Sequence, residues 1–188
     1  MYINNTGVPS VTDILKPYID SRFFTDESRD RGEAVHAAIA AHLEGLWVKP
    51  LQPDWQLYVE SFKRWADLVI NEVILVEKRL IDPELGFCGQ PDAILKLKGN
   101  DFLTLADWKT SQAFQDWWIL QGVGYRHLAK KDGGIETGQQ LSVILKKNGS
   151  GCKVKQYDNF NYYFNIFIGV LNSYKFFNKK EVMNGNKF

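Results

Sequence analysis

Residues 102–110, FLTLADWKT, constrain this chain more than any other stretch. The run alternates as a strand does, and strand side chains point to two faces in turn. Leu103, Leu105, Asp107 and Lys109 therefore share one face. The two leucines require that face to be covered, yet it ends in two opposite charges. The run is predicted to be an interior strand that leaves the core at its C-terminal end. The charge pair reads either as an edge salt bridge, which contributes little, or as the mouth of a cleft.

The hydrophobic period changes on both sides of this strand. Residues 29–47 place Val35, Ile39, Leu43 and Leu46 at helical spacing. Residues 54–71 predict a second helix, with Asp54 as N-cap after Pro53. VPSVTDILKPY, ahead of both, is a short lead-in. Strands are predicted at 73–81, 87–98 and 102–110, with ELG and KGND as turns. Residues 112–130 return to a helix. Strands at 139–147 and 152–158 flank NGSG, a hairpin turn. Residues 160–177 form a last helix, and 178–188 read as a frayed tail. The order α-α-β-β-β-α-β-β-α predicts an α/β (α+β) fold, a central mixed sheet of about five strands flanked by helices. A length of 188 residues fits one domain, 1–188.

Two cysteines, Cys88 and Cys152, are too few for a disulfide framework, a zinc knuckle or an iron–sulfur cluster held by four cysteines. No apolar run reaches the roughly 20 residues that span a bilayer, and the N-terminus lacks the basic start and apolar stretch of a signal peptide. A cytoplasmic protein with no membrane partner is expected. Net charge is only +1, but from Leu141 onward eight lysines stand against Asp158 and Glu181. Lys146, Lys147, Lys153 and Lys155 flank the NGSG turn. They read either as a solvated surface or as a phosphate-binding face.

A hairpin turning at KGND pairs residues whose numbers sum to 199, so Asp92 lies opposite Asp107. Facing carboxylates repel unless a cation lies between them, and hard divalent cations take carboxylate oxygens. The pairing points to a metal site with Lys109 beside it.

These residues carry a resemblance. Pro91-Asp92 followed by Asp107-Trp108-Lys109 resembles the signature of the PD-(D/E)xK nuclease superfamily. More specifically it is similar to the RecB-type branch, which includes phage exonucleases and the mitochondrial genome maintenance exonuclease. The branch's GxxD motif matches Gly89-Gln90-Pro91-Asp92, and Thr110-Ser111 follow the DxK motif. QxxxY matches Gln121 to Tyr125, and an upstream Gly-x-x-x-His pattern matches Gly32 to His36. The likeness covers about residues 8–175.

The resemblance implies a restriction-endonuclease-like core and a metal-dependent DNA exonuclease of the phage, recombination or repair type. Its alternatives are an endonuclease on the same fold and a non-catalytic nucleic-acid-binding recombination protein. It implies Mg²⁺ or Mn²⁺ held by Asp92, Asp107, the Trp108 carbonyl and His36, without an iron–sulfur cluster or zinc. An imidazole ligand makes Mn²⁺ relatively more competitive. By itself, His36 also fits a core or groove histidine. Glu77 either lines the site or pairs with Lys78 or Arg79 at the surface. Lys109 would stabilise charge developing at phosphorus, Gln121 would contact the attacking water or DNA, and Tyr125 would stand beside it. DNA contacts would come from Thr110, Ser111, Trp117 and the four hairpin lysines; Trp117 reads equally as core packing. A recombination or single-strand-binding protein is the implied protein partner. His42 and His127 match no motif and are expected at the surface.

Overall fold

The computed structural model describes residues 7–20 and 24–178; from 179 onward the expected tail lies outside the described residues. In chain order its helices are α1 (Val11–Leu15), α2 (Asp26–Leu43), α3 (Pro53–Val69), α4 (Trp117–Lys131) and α5 (Phe160–Phe177). The strands are β1 (Ile70–Val76), β2 (Leu80–Asp82), β3 (Phe87–Gly89), β4 (Ala93–Leu97), β5 (Leu103–Lys109), β6 (Thr137–Leu145) and β7 (Cys152–Tyr157).

Five strands form one sheet in the order β1-β4-β5-β6-β7, with the FLTLADWKT strand at its centre. β5 runs parallel to β6, and the other neighbours pair antiparallel. This is the expected mixed sheet of five strands with helices on both sides. Among the described residues no helix is long and apolar enough to cross a membrane.

Alternation along β5 divides the core in two. Ala106 and Trp108 enter the layer under α2 and α3, with Val35, Ile39, Val59 and Phe62. Leu103 and Leu105 enter the layer under α1, α4 and α5, with Ile14, Val123, Leu128 and Phe167. β5 is therefore covered on both faces, and Asp107 is only 5% exposed. The charge pair does not sit on a sheet edge.

Several boundaries differ from expectation, each for a local reason. The strand expected at 73–81 ends at Val76, because Glu77 turns the chain with φ 44°. The strand expected at 87–98 breaks at Gln90–Asp92, where Pro91 has no N–H to donate to a ladder. The outer pieces, β2 and β3, pair with each other as a separate two-stranded sheet. α2 begins earlier, behind a reciprocal cap between Thr25 and Ser28. It ends at Leu43 because Gly45, at φ 70°, closes a Schellman motif: Gly45 N–H donates to the His42 carbonyl and Leu46 N–H to that of Ala41. Leu46 and Trp47 thus lie outside the helix and exposed. Pro53, not Asp54, opens α3; the N-cap is Gln52 and Asp54 lies in the first turn. α4 starts at Trp117 rather than 112, since Ser111 Oγ donates to the Ala113 carbonyl and holds the preceding segment in a bend.

Candidate active site

The hairpin register is the one that facing carboxylates require. Ala93 pairs Ala106, Ile94 pairs Leu105, Leu95 pairs Thr104 and Lys96 pairs Leu103. One step further sets Asp92 opposite Asp107, where both strands leave the core. Asp92 Oδ2 accepts a 2.7 Å hydrogen bond from Trp108 N–H. The N–H and C=O of one strand residue point the same way, so the Trp108 carbonyl faces this side too. His36 reaches Asp92 from α2, Nδ1 to Oδ1 at 3.3 Å. The helix approaches here at Gly32, where an added Cβ would stand 4.0 Å from Thr110 Oγ1.

Glu77 joins the same group. Its ligand atom and those of His36 and Asp92 lie within 4.8 Å of one another, a cluster that could hold a metal ion. Its N–H donates to the Asp92 carbonyl, and its carboxylate accepts from Gln90 Nε2. A left-handed backbone is uncommon for a residue with a side chain and gathers at functional sites. The turn that breaks the expected strand sets Glu77 beside Asp92 and His36.

On the other side, Lys109 Nζ lies 2.7 Å from Asp107 Oδ2 and donates to Gln121 Oε1 at 2.8 Å. Gln121 Nε2 donates to Tyr125 Oη at 3.2 Å. Lys109 also stands over the rings of Trp117 and Trp118, 5.4 and 5.2 Å from their centroids. Trp118 is buried and Trp117 half-buried. The single turn between Gln121 and Tyr125 on α4 puts both on the face turned to β5. Gly89 makes room for Tyr125: a Cβ there would meet its ring at 2.6 Å.

Electrostatics set the two aspartates apart. Burial pushes Asp107 up to about 6; Lys109 opposes the rise and Asp92 adds to it. Burial also opposes the Asp92 carboxylate, but the charge and hydrogen bond of His36, with Lys109 and Trp108 N–H, hold it below the usual carboxylate range. Burial lowers His36, yet Asp92 outweighs it and raises the imidazole to about 9. Burial and then Asp92 raise Glu77, and burial with the two aspartates pushes Tyr125 well above its ordinary range. With its pKa raised to about 9, His36 faces Asp92 as an imidazolium at neutral pH.

The structure therefore brings His36, Glu77, Asp92, Asp107, Lys109, Gln121 and Tyr125 together. The four hairpin lysines divide. Lys153 and Lys155 pair in register with Ile144 and Ser142, which pair in turn with Lys109 and Asp107, so they share the face of the sheet that carries the site. Lys146 and Lys147 stand at the turn beside α3, where Lys146 N–H donates to Ser61 Oγ. Thr110 and Ser111 are half-buried at the strand end.

Thr12, which no motif singled out, lies near enough to Tyr125 to oppose the rise of its pKa. The two remaining histidines are half-buried, each with a partner. His127 Nε2 lies 2.6 Å from the buried carboxylate of Asp82 and its ring stacks on Phe164, while His42 packs edge-on against Phe62.

No protein-family model and no curated protein matches the chain. Among solved structures it is similar to a crystal structure of LHK-Exo in complex with dAMP, with 14% identity and a TM-score of 0.35 over 95% of this chain and 94% of that one. At that level the likeness carries no argument about chemistry here.

Proposed function

We propose that this chain is a metal-dependent nuclease that hydrolyses phosphodiester bonds of DNA, working from an end. One observation carries the reading: Asp92, just before β4, and Asp107 on β5 are both buried and repel each other electrostatically, with His36 and Glu77 grouped around Asp92 and Lys109 paired with Asp107. The donor set fits Mg²⁺ or Mn²⁺, being oxygen-rich with a single imidazole. The buried Asp107 Oδ2 has one close partner, the Lys109 ammonium at 2.7 Å. Asp92, Asp107, the Trp108 carbonyl and His36 would hold the ion, with Glu77 as a further ligand. When bound, the ion supplies Lewis acidity to the scissile phosphate and lowers the pKa of attacking water.

The remaining work falls to the chain. An ammonium has three N–H groups, and Lys109 directs two toward Asp107 and Gln121, leaving one for a phosphate oxygen. Gln121, fixed by Tyr125, orients that ammonium. Lys109 then acts as a preorganised charge against the charge that develops at phosphorus. Thr110, Ser111, Trp117, Lys153 and Lys155 contact the DNA strand, and Lys146 and Lys147 extend the basic surface away from the site.

End-labelled linear DNA tests this. Mg²⁺ or Mn²⁺ supports its degradation, EDTA stops it, and Asp107→Ala removes it. A closed circular substrate stays intact if the enzyme needs an end. Full activity of Asp107→Ala overturns the assignment.

A further inference from the structure

We propose that the cleft between β7 and the starts of α4 and α5 is a nucleotide subsite for one unpaired nucleotide of the strand that crosses Asp107. The inference rests on the nuclease reading and names its substrate class: single-stranded DNA or a frayed end.

The cleft measures about 520 Å³, within the range of small-molecule pockets. Tyr157, Tyr163, Ile119 and Ile166 form its apolar walls, and Lys155 lines it. Its position follows from the sheet. Asp107 pairs Ser142, and Ser142 pairs Lys155, so the three lie in one row across β5, β6 and β7. Two strand spacings separate the ends of that row by about 10 Å. A strand covers this in about three nucleotides at the stacked rise of about 3.4 Å per phosphate. The cleft therefore lies within a few nucleotides' reach of the candidate site.

Charge orients the occupant. The Lys155 ammonium packs 5.2 Å from the Tyr157 ring centroid and 5.8 Å from that of Phe114. Among the described residues it makes no ion pair, although Asp116 and Asp158 line the same cleft. The two carboxylates repel a phosphate from the interior, so the phosphate goes to Lys155. A carboxylate accepts from base N–H groups, and an aromatic wall stacks on any base. A base can enter only with its pairing edge free, which excludes an intact base pair.

The test is fluorescence anisotropy in EDTA, with a labelled oligothymidylate of about ten residues and a blunt duplex. Wild type is expected to bind the single strand more tightly. Tyr163→Ala weakens that binding about tenfold, as loss of one base–aromatic stack does, and Tyr163→Phe restores it. Lys155→Ala, a change at an exposed side chain, lowers the slope of log K against log salt by about 0.7, one phosphate contact on a single strand. Wild-type binding by both Tyr163→Ala and Lys155→Ala overturns the subsite, as does equal affinity for the duplex. Cleavage by wild type in Mg²⁺ separates the two ideas. If wild type cleaves but these variants bind normally, the subsite falls and the nuclease reading stands. If Tyr163 controls binding but no metal supports cleavage, the subsite stands and the nuclease reading falls.

Discussion

Asp107→Asn separates a structural salt bridge from a site that waits for a cation, because the two predict opposite signs. If Asp107 and Lys109 were a stabilising pair, removing the carboxylate would strand a buried ammonium and cost about 3–5 kcal/mol. The geometry predicts a gain. Burial and Asp92 raise Asp107 from 3.8 to about 6 despite Lys109, so its ionised form is destabilising even with the lysine present. At about 1.4 kcal/mol per pH unit, that is on the order of 3 kcal/mol at pH 7. Asparagine mimics the protonated acid. Lys109 keeps the Gln121 carbonyl and two indole faces, so its charge is not stranded. The sign follows from the raised pKa. The contribution of protonated Asp107 is fully present below pH 3.8 and is lost as pH rises through about 6. In EDTA at pH 7 the variant is therefore expected to melt roughly 6–12 °C above wild type for a chain of this size. The gap should close as pH falls toward 4. Thermal denaturation followed by circular dichroism measures it. A variant that melts below wild type at pH 7 in EDTA refutes the reasoning.

Other perturbations probe neighbouring parts. Gly89→Ala sets a Cβ 2.6 Å from the Tyr125 ring and is expected to cost about 1–3 kcal/mol; an unchanged urea midpoint would show that the ring is not held there. Metal binding must displace the proton that Asp92 keeps on His36 up to about pH 9. Calorimetry of Mn²⁺ binding in two buffers of different ionisation enthalpy is expected to show proton release at pH 7 that disappears in His36→Asn. In the metal-free protein, that raised pKa adds stability present below pH 6.5 and lost as pH climbs through about 9. Ser61→Ala removes the hydroxyl that accepts from Lys146 N–H and donates to the Gly151 carbonyl. A loss of about 1–3 kcal/mol follows from the orphaned partners, with DNA cleavage retained once the variant is folded.

The central hairpin was legible because its information is local. Alternation set the faces of β5, and the KGND turn set the register, so Asp92 opposite Asp107 followed by counting. The gathering of Gln121 and Tyr125 was equally local, a matter of one turn on α4. What could not be read depends on contacts between distant segments or on single backbone angles. Glu77 joins His36 and Asp92 only because φ 44° ends β1 there, and no periodicity marks that turn. The small β2–β3 sheet hid inside two runs that read as continuous strands. His127 found Asp82 across 45 positions, so it read as a surface residue. The hairpin lysines looked equivalent in the chain, and only the pairing of β7 with β6 places Lys153 and Lys155 on the site's face.

Diffraction from crystals soaked in Mn²⁺, recorded for anomalous scattering, tests the central claim most directly. The account predicts one strong peak between the facing carboxylates, at bonding distance from both Asp92 and Asp107, with Lys109 turned from Asp107 toward the phosphate side. A saturating soak that leaves the Asp107–Lys109 pair intact with no ion against either aspartate would contradict it.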